Sequence, residues 1–252
     1  MNRIILTTLA LSLAACSSSS SPPTREQYDD TAQAIASTTA TSGGGGDVSS
    51  MSDSVTIAQG TLPQGFTLMG DGHFQGSRLG LDYSYSITCK DAAGVVGLCG
   101  LTTDQAKVDV AWSGNLSSTS LDASVTRNGT WSITGLQSAT ATFSGSSTFS
   151  FDATLRSIFR PGATATYSFD ASASYDAIQI ATQQRQVTGG TASFDVSAHA
   201  TVTGAGASNS DKSFDVHAVI TFHADHTADL VLDATQHYAL NLTTGVVIRV
   251  GA

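Results

Sequence analysis

From about residue 66 to residue 250 the chain alternates apolar and polar side chains with a period of two, and this pattern more than any other limits what it can become. Leu79, Leu81, Tyr83, Tyr85, Ile87 and Cys89 are separated by Gly80, Asp82, Ser84, Ser86 and Thr88. The same alternation returns in Val108-x-Val110-x-Trp112, Leu121-x-Ala123-x-Val125, Trp131-x-Ile133, Phe149-x-Phe151-x-Ala153-x-Leu155 and at every second position of residues 163–175. A side-chain period of two belongs to a strand with one face buried and the other in water. The segments follow one another through short turn signals, with no helical stretch between them of the kind a parallel crossover needs, so the pattern predicts an antiparallel meander. Asn128-Gly129 is the strongest hairpin signal. Gly189-Gly190 and residues 204–206, 224–226 and 243–245 mark further turns.

A sheet with one apolar face has to cover it, by closing, by a second sheet or by helices. Residues 163–175, if unbroken, extend roughly 43 Å, and strands that long favour a curved sheet. The fold expected is all-β and mainly antiparallel: about ten to thirteen strands in a long-stranded meander curled into a barrel or half-barrel, with short N-terminal helices at its open side or mouth. A β-sandwich is the alternative. The helices are expected within residues 24–60, a short helical segment with a Gly-rich linker. Thr24 and Gln27 form a capping-box pattern, Tyr28, Ala32, Ile35 and Ala36 recur at helical spacing, and a second short helix is expected from about Ser50 to Ala58, with Gly60 as its stop. Residues 61–252 then form a single antiparallel β domain. The layout is similar to that of periplasmic lipoprotein-carrier proteins, in which a curved sheet wraps an apolar ligand; the likeness is architectural and covers no motif.

The first sixteen residues carry a different signal. Met1-Asn2-Arg3 precedes an apolar run from Ile4 to Ala15, too short for the roughly 20 residues of a membrane span, and it ends in Leu13-Ala14-Ala15-Cys16. This ending resembles the lipobox of bacterial lipoprotein precursors. The resemblance implies that residues 1–15 are a signal peptide that is removed, that Cys16 becomes the acylated N-terminus, and that the chain is held in a membrane by that lipid. The serines after Cys16, with no Asp beside it, resemble the default for the outer membrane of the bacterial envelope. Residues 16–23 then read as the lipidated cysteine and a Ser/Pro tether. Without Arg3 the remaining chain has 10 basic and 20 acidic residues, a net charge of −10, which makes nucleic acid and anionic headgroups poor partners.

With Cys16 assigned to lipid, Cys89 and Cys99 remain, and in an oxidising compartment they are expected to pair across a short loop. A metal pair or redox site would call for a Cys-x-x-Cys spacing and a nearby histidine, both missing from the sequence around them. Ser-Phe-Asp occurs four times, ending at Asp152, Asp170, Asp195 and Asp215, at intervals too uneven for a solenoid; it reads as a buried Phe followed by a solvated Asp. No nucleophile elbow, zinc-protease helix, phosphate loop or EF-hand loop is present, and the apolar strand faces show no polar interruption, so the sequence points away from an enzyme and to no cofactor. The only concentration of chemistry-bearing residues is C-terminal. His199, His217, His223 and His237 all fall on the polar faces of their strands, where they are weak metal-ligand candidates and more simply a solvated face. The function expected is an envelope-anchored lipoprotein with a non-catalytic binding or structural role toward a protein, glycan or wall component. The alternative is a periplasmic carrier that holds an apolar ligand inside the curved sheet.

Overall fold

A computed structural model describes residues 22–41, 46–117, 121–159, 161–204 and 210–251. Two helices, α1 (Arg25–Thr39) and α2 (Asp47–Ala58), precede thirteen strands. These are β1 (Phe66–Gly70), β2 (His73–Arg78), β3 (Leu81–Lys90), β4 (Val96–Gly97), β5 (Gln105–Ser117), β6 (Leu121–Thr134), β7 (Thr140–Arg156), β8 (Ala163–Ala181), β9 (Gln186–Gly204), β10 (Ser210–Phe222), β11 (Thr227–Leu232), β12 (Gln236–Asn241) and β13 (Val247–Arg249). All belong to one sheet in which every strand pairs with its sequence neighbours, apart from the short β4, which pairs beside β3; β1 and β13 are the edges. Every pairing is antiparallel. The fold is thus all-β, and the described residues form one sheet with no second sheet to make a sandwich.

The sheet curls around the helices. α2 touches both β3 and β9, and α1 lies against β11, β12 and β13. Strands as distant in the sheet as β3 and β9 can reach one helix only if the surface between them bends around it. Bulges supply part of the bend. Between Phe143 and Gly145 the β7–β8 register shifts, and at Gly145 and Gly190, with φ of +157° and +99°, a Cβ would collide with the Trp131 and Ile178 backbone respectively.

The alternation governs burial as its period requires. β3 buries every second side chain along its length and β8 does so from Ala163 to Tyr175, after which a bulge shifts the buried parity to Ile178 and Ile180; the four Ser-Phe-Asp segments place Phe151, Phe169, Phe194 and Phe214 inside and their aspartates outside. Register explains why those carboxylates tolerate one another. Asp152 faces Ser124 and Ser168, Asp170 faces Ser150 and Ser197, and Asp195 faces Ser172 and His217, so no two lie directly opposite.

Three local expectations are corrected. Asn128-Gly129 is not a hairpin but lies in mid-β6, opposite Ala111 and Val110 on one side and Thr148 and Ser147 on the other. Gly129 points inward, where a Cβ would sit 3.0 Å from Trp131 Nε1, so the glycine makes room for a buried indole instead of a turn. Gly189-Gly190 belongs to β9, and the reversal comes earlier, at residues 182–185. Leu79 is not on the apolar face. It forms with Gly80 the two-residue β2–β3 turn, both at positive φ (52° and 86°), and its side chain is exposed. The turn expected at residues 204–206 falls largely outside the described residues; those at 224–226 and 243–245 join β10 to β11 and β12 to β13.

The helices start as their caps dictate. Thr24 accepts from Gln27 N and Gln27 Oε1 from Thr24 N, a complete capping box. α2 begins at Asp47, earlier than the sequence suggests. Both helices share the core of the sheet, and α1 is buried nearly all round although most of its residues are polar.

Cys89 and Cys99 have their sulfurs at bonding distance, 2.07 Å. Their loop leans on the end of α2, with Gly100 N donating to Ala58 O. Replacing both cysteines by alanine is expected to lower stability by about 2–3 kcal/mol, since a short closed loop loses little entropy on folding. Thermal melts with and without reductant check this, and labelling of both thiols in denatured, unreduced protein would contradict the bond.

Candidate functional site

Arg127 interrupts the apolar face, contrary to the expectation of an unbroken one. It follows the inward parity of β6, and its side chain is only 2% exposed. A buried guanidinium needs a counter-charge, and α2 provides it: Arg127 pairs with Asp47, itself 2% exposed, in the first turn of the helix. Tyr175 of β8 donates to Asp47 Oδ2 at 2.8 Å, Arg127 donates to Ser147 Oγ at 2.7 Å and to the Tyr175 hydroxyl, and the guanidinium lies over the rings of Trp112, Phe149 and Tyr175 at 5.8–5.9 Å. Burial raises the Asp47 carboxyl to about 6 against the opposing pull of Arg127, and burial also pulls the Arg127 guanidinium down.

Two more pairs repeat the arrangement. Asp53 of α2 meets Arg78 of β2 at 2.6 Å, and Asp29 of α1 meets Arg249 of β13 while accepting from the Tyr238 hydroxyl at 2.9 Å. Around them Gln33 Nε2 donates to Arg156 O and Gln33 Oε1 accepts from Ile158 N, while Thr38 and Ser54 turn their hydroxyls back to carbonyls of their own helix. A polar helix can be enclosed where side chains such as these meet partners. These pairs fasten the helices to the sheet. Arg127 and Asp47 are sealed from solvent.

The four histidines occupy the solvent side, as parity requires. His199 Nε2 lies 3.0 Å from Asp211, His217 Nδ1 2.8 Å from Asp195 and His223 Nε2 3.1 Å from Asp229, each a separate cross-strand pair, while His237 sits on the same face of β12. They do not converge: among the described residues no group of three or more His, Cys, Asp or Glu side chains is placed to hold a metal ion. Cys16 lies outside the described residues, as do the whole signal segment and most of the tether. No described helix is long and apolar enough to cross a membrane.

The concave face, where a carrier would keep its ligand, holds α1 and α2. Apolar surface emerges instead at one rim of the sheet, where α2 ends. A groove of about 550 Å³ there has Ile57, Phe74 and Ile87 of the core as its floor, and Leu62, Leu68 and Leu98 at its lip. The floor residues are at most 7% exposed, whereas Leu62, Leu68 and Leu98 are 47%, 53% and 96% exposed. The disulfide holds the far wall, since Val96, Leu98 and Cys99 all line the groove. Cavities of roughly 300–1,000 Å³ with mainly apolar walls are the usual size for ligand sites. Nothing in the sequence announced this groove, because Leu62, Leu68, Val96 and Leu98 come from three short segments without periodicity. Val95, Val96, Leu98 and Leu101, 62%, 63%, 96% and 90% exposed, were the available clue: four large apolar side chains turned to water within one short segment.

The groove and the start of α1 are at opposite ends of the sheet. Tyr28 donates to Asp233 in the β11–β12 turn and Gln33 reaches Arg156 at the end of β7. Gln59, at the end of α2 next to the groove residues Gly60 and Thr61, donates instead to Thr182, just past β8. No protein-family model, curated protein or solved structure matches this chain.

Proposed function

We propose that the protein is an envelope-anchored, non-catalytic binding protein, held by lipid on Cys16 and taking its partner at the apolar groove beside the disulfide. The observation that carries this reading is the continuity of the groove with the core: buried Ile57, Phe74 and Ile87 lie under exposed Leu62, Leu68 and Leu98, so a bound apolar group completes a packing layer left open at that rim. Placement supports it, since the chain enters α1 at the other end and the groove would face away from the attached membrane. The Leu-Ala-Ala-Cys ending of the apolar N-terminal run supports the anchor. Binding at the rim is favoured over carriage inside the sheet because the helices fill the interior.

Fractionation and dye binding test the two halves. The Cys16→Ser chain is expected in the soluble fraction after a high-salt wash, because the described structure offers no membrane-spanning helix in place of the lipid; retention in the membrane pellet would refute the anchor. That soluble variant should bind Nile red with a blue-shifted emission, and Leu98→Asp should weaken the binding about tenfold by placing a charge at the lip. Unchanged dye binding in Leu98→Asp would refute the groove.

A further inference from the structure

Resting on this groove reading, we propose that the occupant is an extended peptide segment, apolar at every second residue and flanked by Lys or Arg, which adds to β1 as one more antiparallel strand.

β1 is an edge of the sheet, so one row of its N–H and C=O groups has no strand partner among the described residues. Exposed edges are ordinarily blunted by charge, proline or brevity. β13, the other edge, is three residues long and carries Arg249, but β1 reads Phe66-Thr67-Leu68-Met69-Gly70, with no charge and no proline, and all but Phe66 are exposed. The edge and the groove are continuous. Leu68 of β1 lies opposite Phe74 of β2, and both line the groove. Because side chains alternate across a strand, a segment paired along β1 would lay every second side chain on the Leu68 face, over the groove, while its main chain bonds to the edge.

Charge chooses the occupant. Asp71, in the β1–β2 turn, is the one charged residue among the described groove residues, and the whole chain carries a formal charge of −9. A basic flank on the incoming segment meets Asp71 and the field behind it, whereas a second copy pairing edge to edge would set two equally acidic bodies together.

The test uses a fluorescein-labelled peptide, Lys-Thr-Leu-Thr-Leu-Thr-Leu-Thr-Leu-Lys, titrated by anisotropy with the full chain carrying Cys16→Ser, beside the Nile red measurement. Two further peptides carry N-methyl groups on one or the other alternate set of amides, and a third has Glu in place of Lys. Only one set of amides can face β1, so one methylated peptide should bind about tenfold more weakly than the parent and the other nearly as well. Leu68→Asp, at a side chain already half exposed, should cost about as much, with far-ultraviolet circular dichroism confirming its fold. The Glu peptide should bind several-fold more weakly, with the gap closing in high salt. Nile red binding without peptide binding, or equal effects of both methylation patterns, would overturn strand addition and leave the groove reading intact. Loss of the dye signal as well would remove both, and a concentration-dependent dimer that excludes the peptide would assign the edge to a second copy.

Discussion

Arg127→Met is expected to lower the melting temperature by roughly 10 °C or more, the largest effect of any single exchange proposed for this chain. The methionine fills most of the space but leaves Asp47 inside the sheet with no counter-charge, and breaking one side of a buried ion pair costs about 3–5 kcal/mol. For a chain of this length each kcal/mol corresponds to about 2–4 °C. Asp47→Asn should be costly for the converse reason, stranding the guanidinium. The double variant Arg127→Met with Asp47→Asn should recover much of the loss, because neither charge then remains and the Tyr175 hydroxyl keeps a hydrogen-bonding neighbour. Strictly additive losses would show that Arg127 and Asp47 do not act as a pair. pH provides an independent check with a definite sign. Burial raises the folded-state carboxyl of Asp47 to about 6 from its ordinary 3.8, so between those values the folded chain holds a proton that the unfolded chain lacks. The associated stability is present in full below the lower value and is lost as pH rises through about 6. The melting temperature of the native chain relative to the double variant should therefore rise on going from pH 7 to pH 5; a fall over that interval would contradict the burial of Asp47.

A chain starting at Thr61 is expected not to fold as a soluble monomer. Taking away α1 and α2 opens the concave face, on which Tyr85, Trp131, Phe143 and Leu230 are 0% exposed, and each large side chain returned to water costs about 1.5–3 kcal/mol. Arg78, Arg127 and Arg249 lose their aspartates in the same step. The stability of a whole domain is only about 5–15 kcal/mol, so the truncated sheet should aggregate or bind apolar dye heavily without a cooperative melt. A soluble monomer with a melt near that of the full chain would show that the sheet covers its own face and that the helices only decorate it. In that sense residues 24–60 and 61–252 are one folding unit, since a single hydrophobic cluster runs through both.

How much of this could be read in advance follows from the range of each interaction. The strands from β3 onward, the inward Phe and outward Asp of each Ser-Phe-Asp segment, the outward histidines and the capping box of α1 are set by neighbours two to four positions away, and their patterns stand in the residues themselves. Asn128-Gly129 misleads for the same reason: its local preference is for a turn, but pairing with β5 and β7 and the space required by Trp131 outweigh that preference. Arg127 could be seen as an inward-facing cation only once β6 was known to run unbroken through residue 128, for a turn there would have reset the parity.

From the sequence alone came a one-faced antiparallel sheet, its faces, a short helical segment and the pairing of Cys89 with Cys99, all consequences of period, caps and a short loop. Tertiary structure decided what the apolar face packs against: two largely polar helices, accepted because Asp29, Asp47 and Asp53 meet arginines from three strands, with contacts such as Tyr175 to Asp47 spanning 128 positions. It also decided where that packing stops and leaves Leu62, Leu68 and Leu98 around an open groove. Covering a face requires partners that no local period encodes, and so the enclosed helices and the groove at their end exist only once the sheet has curled.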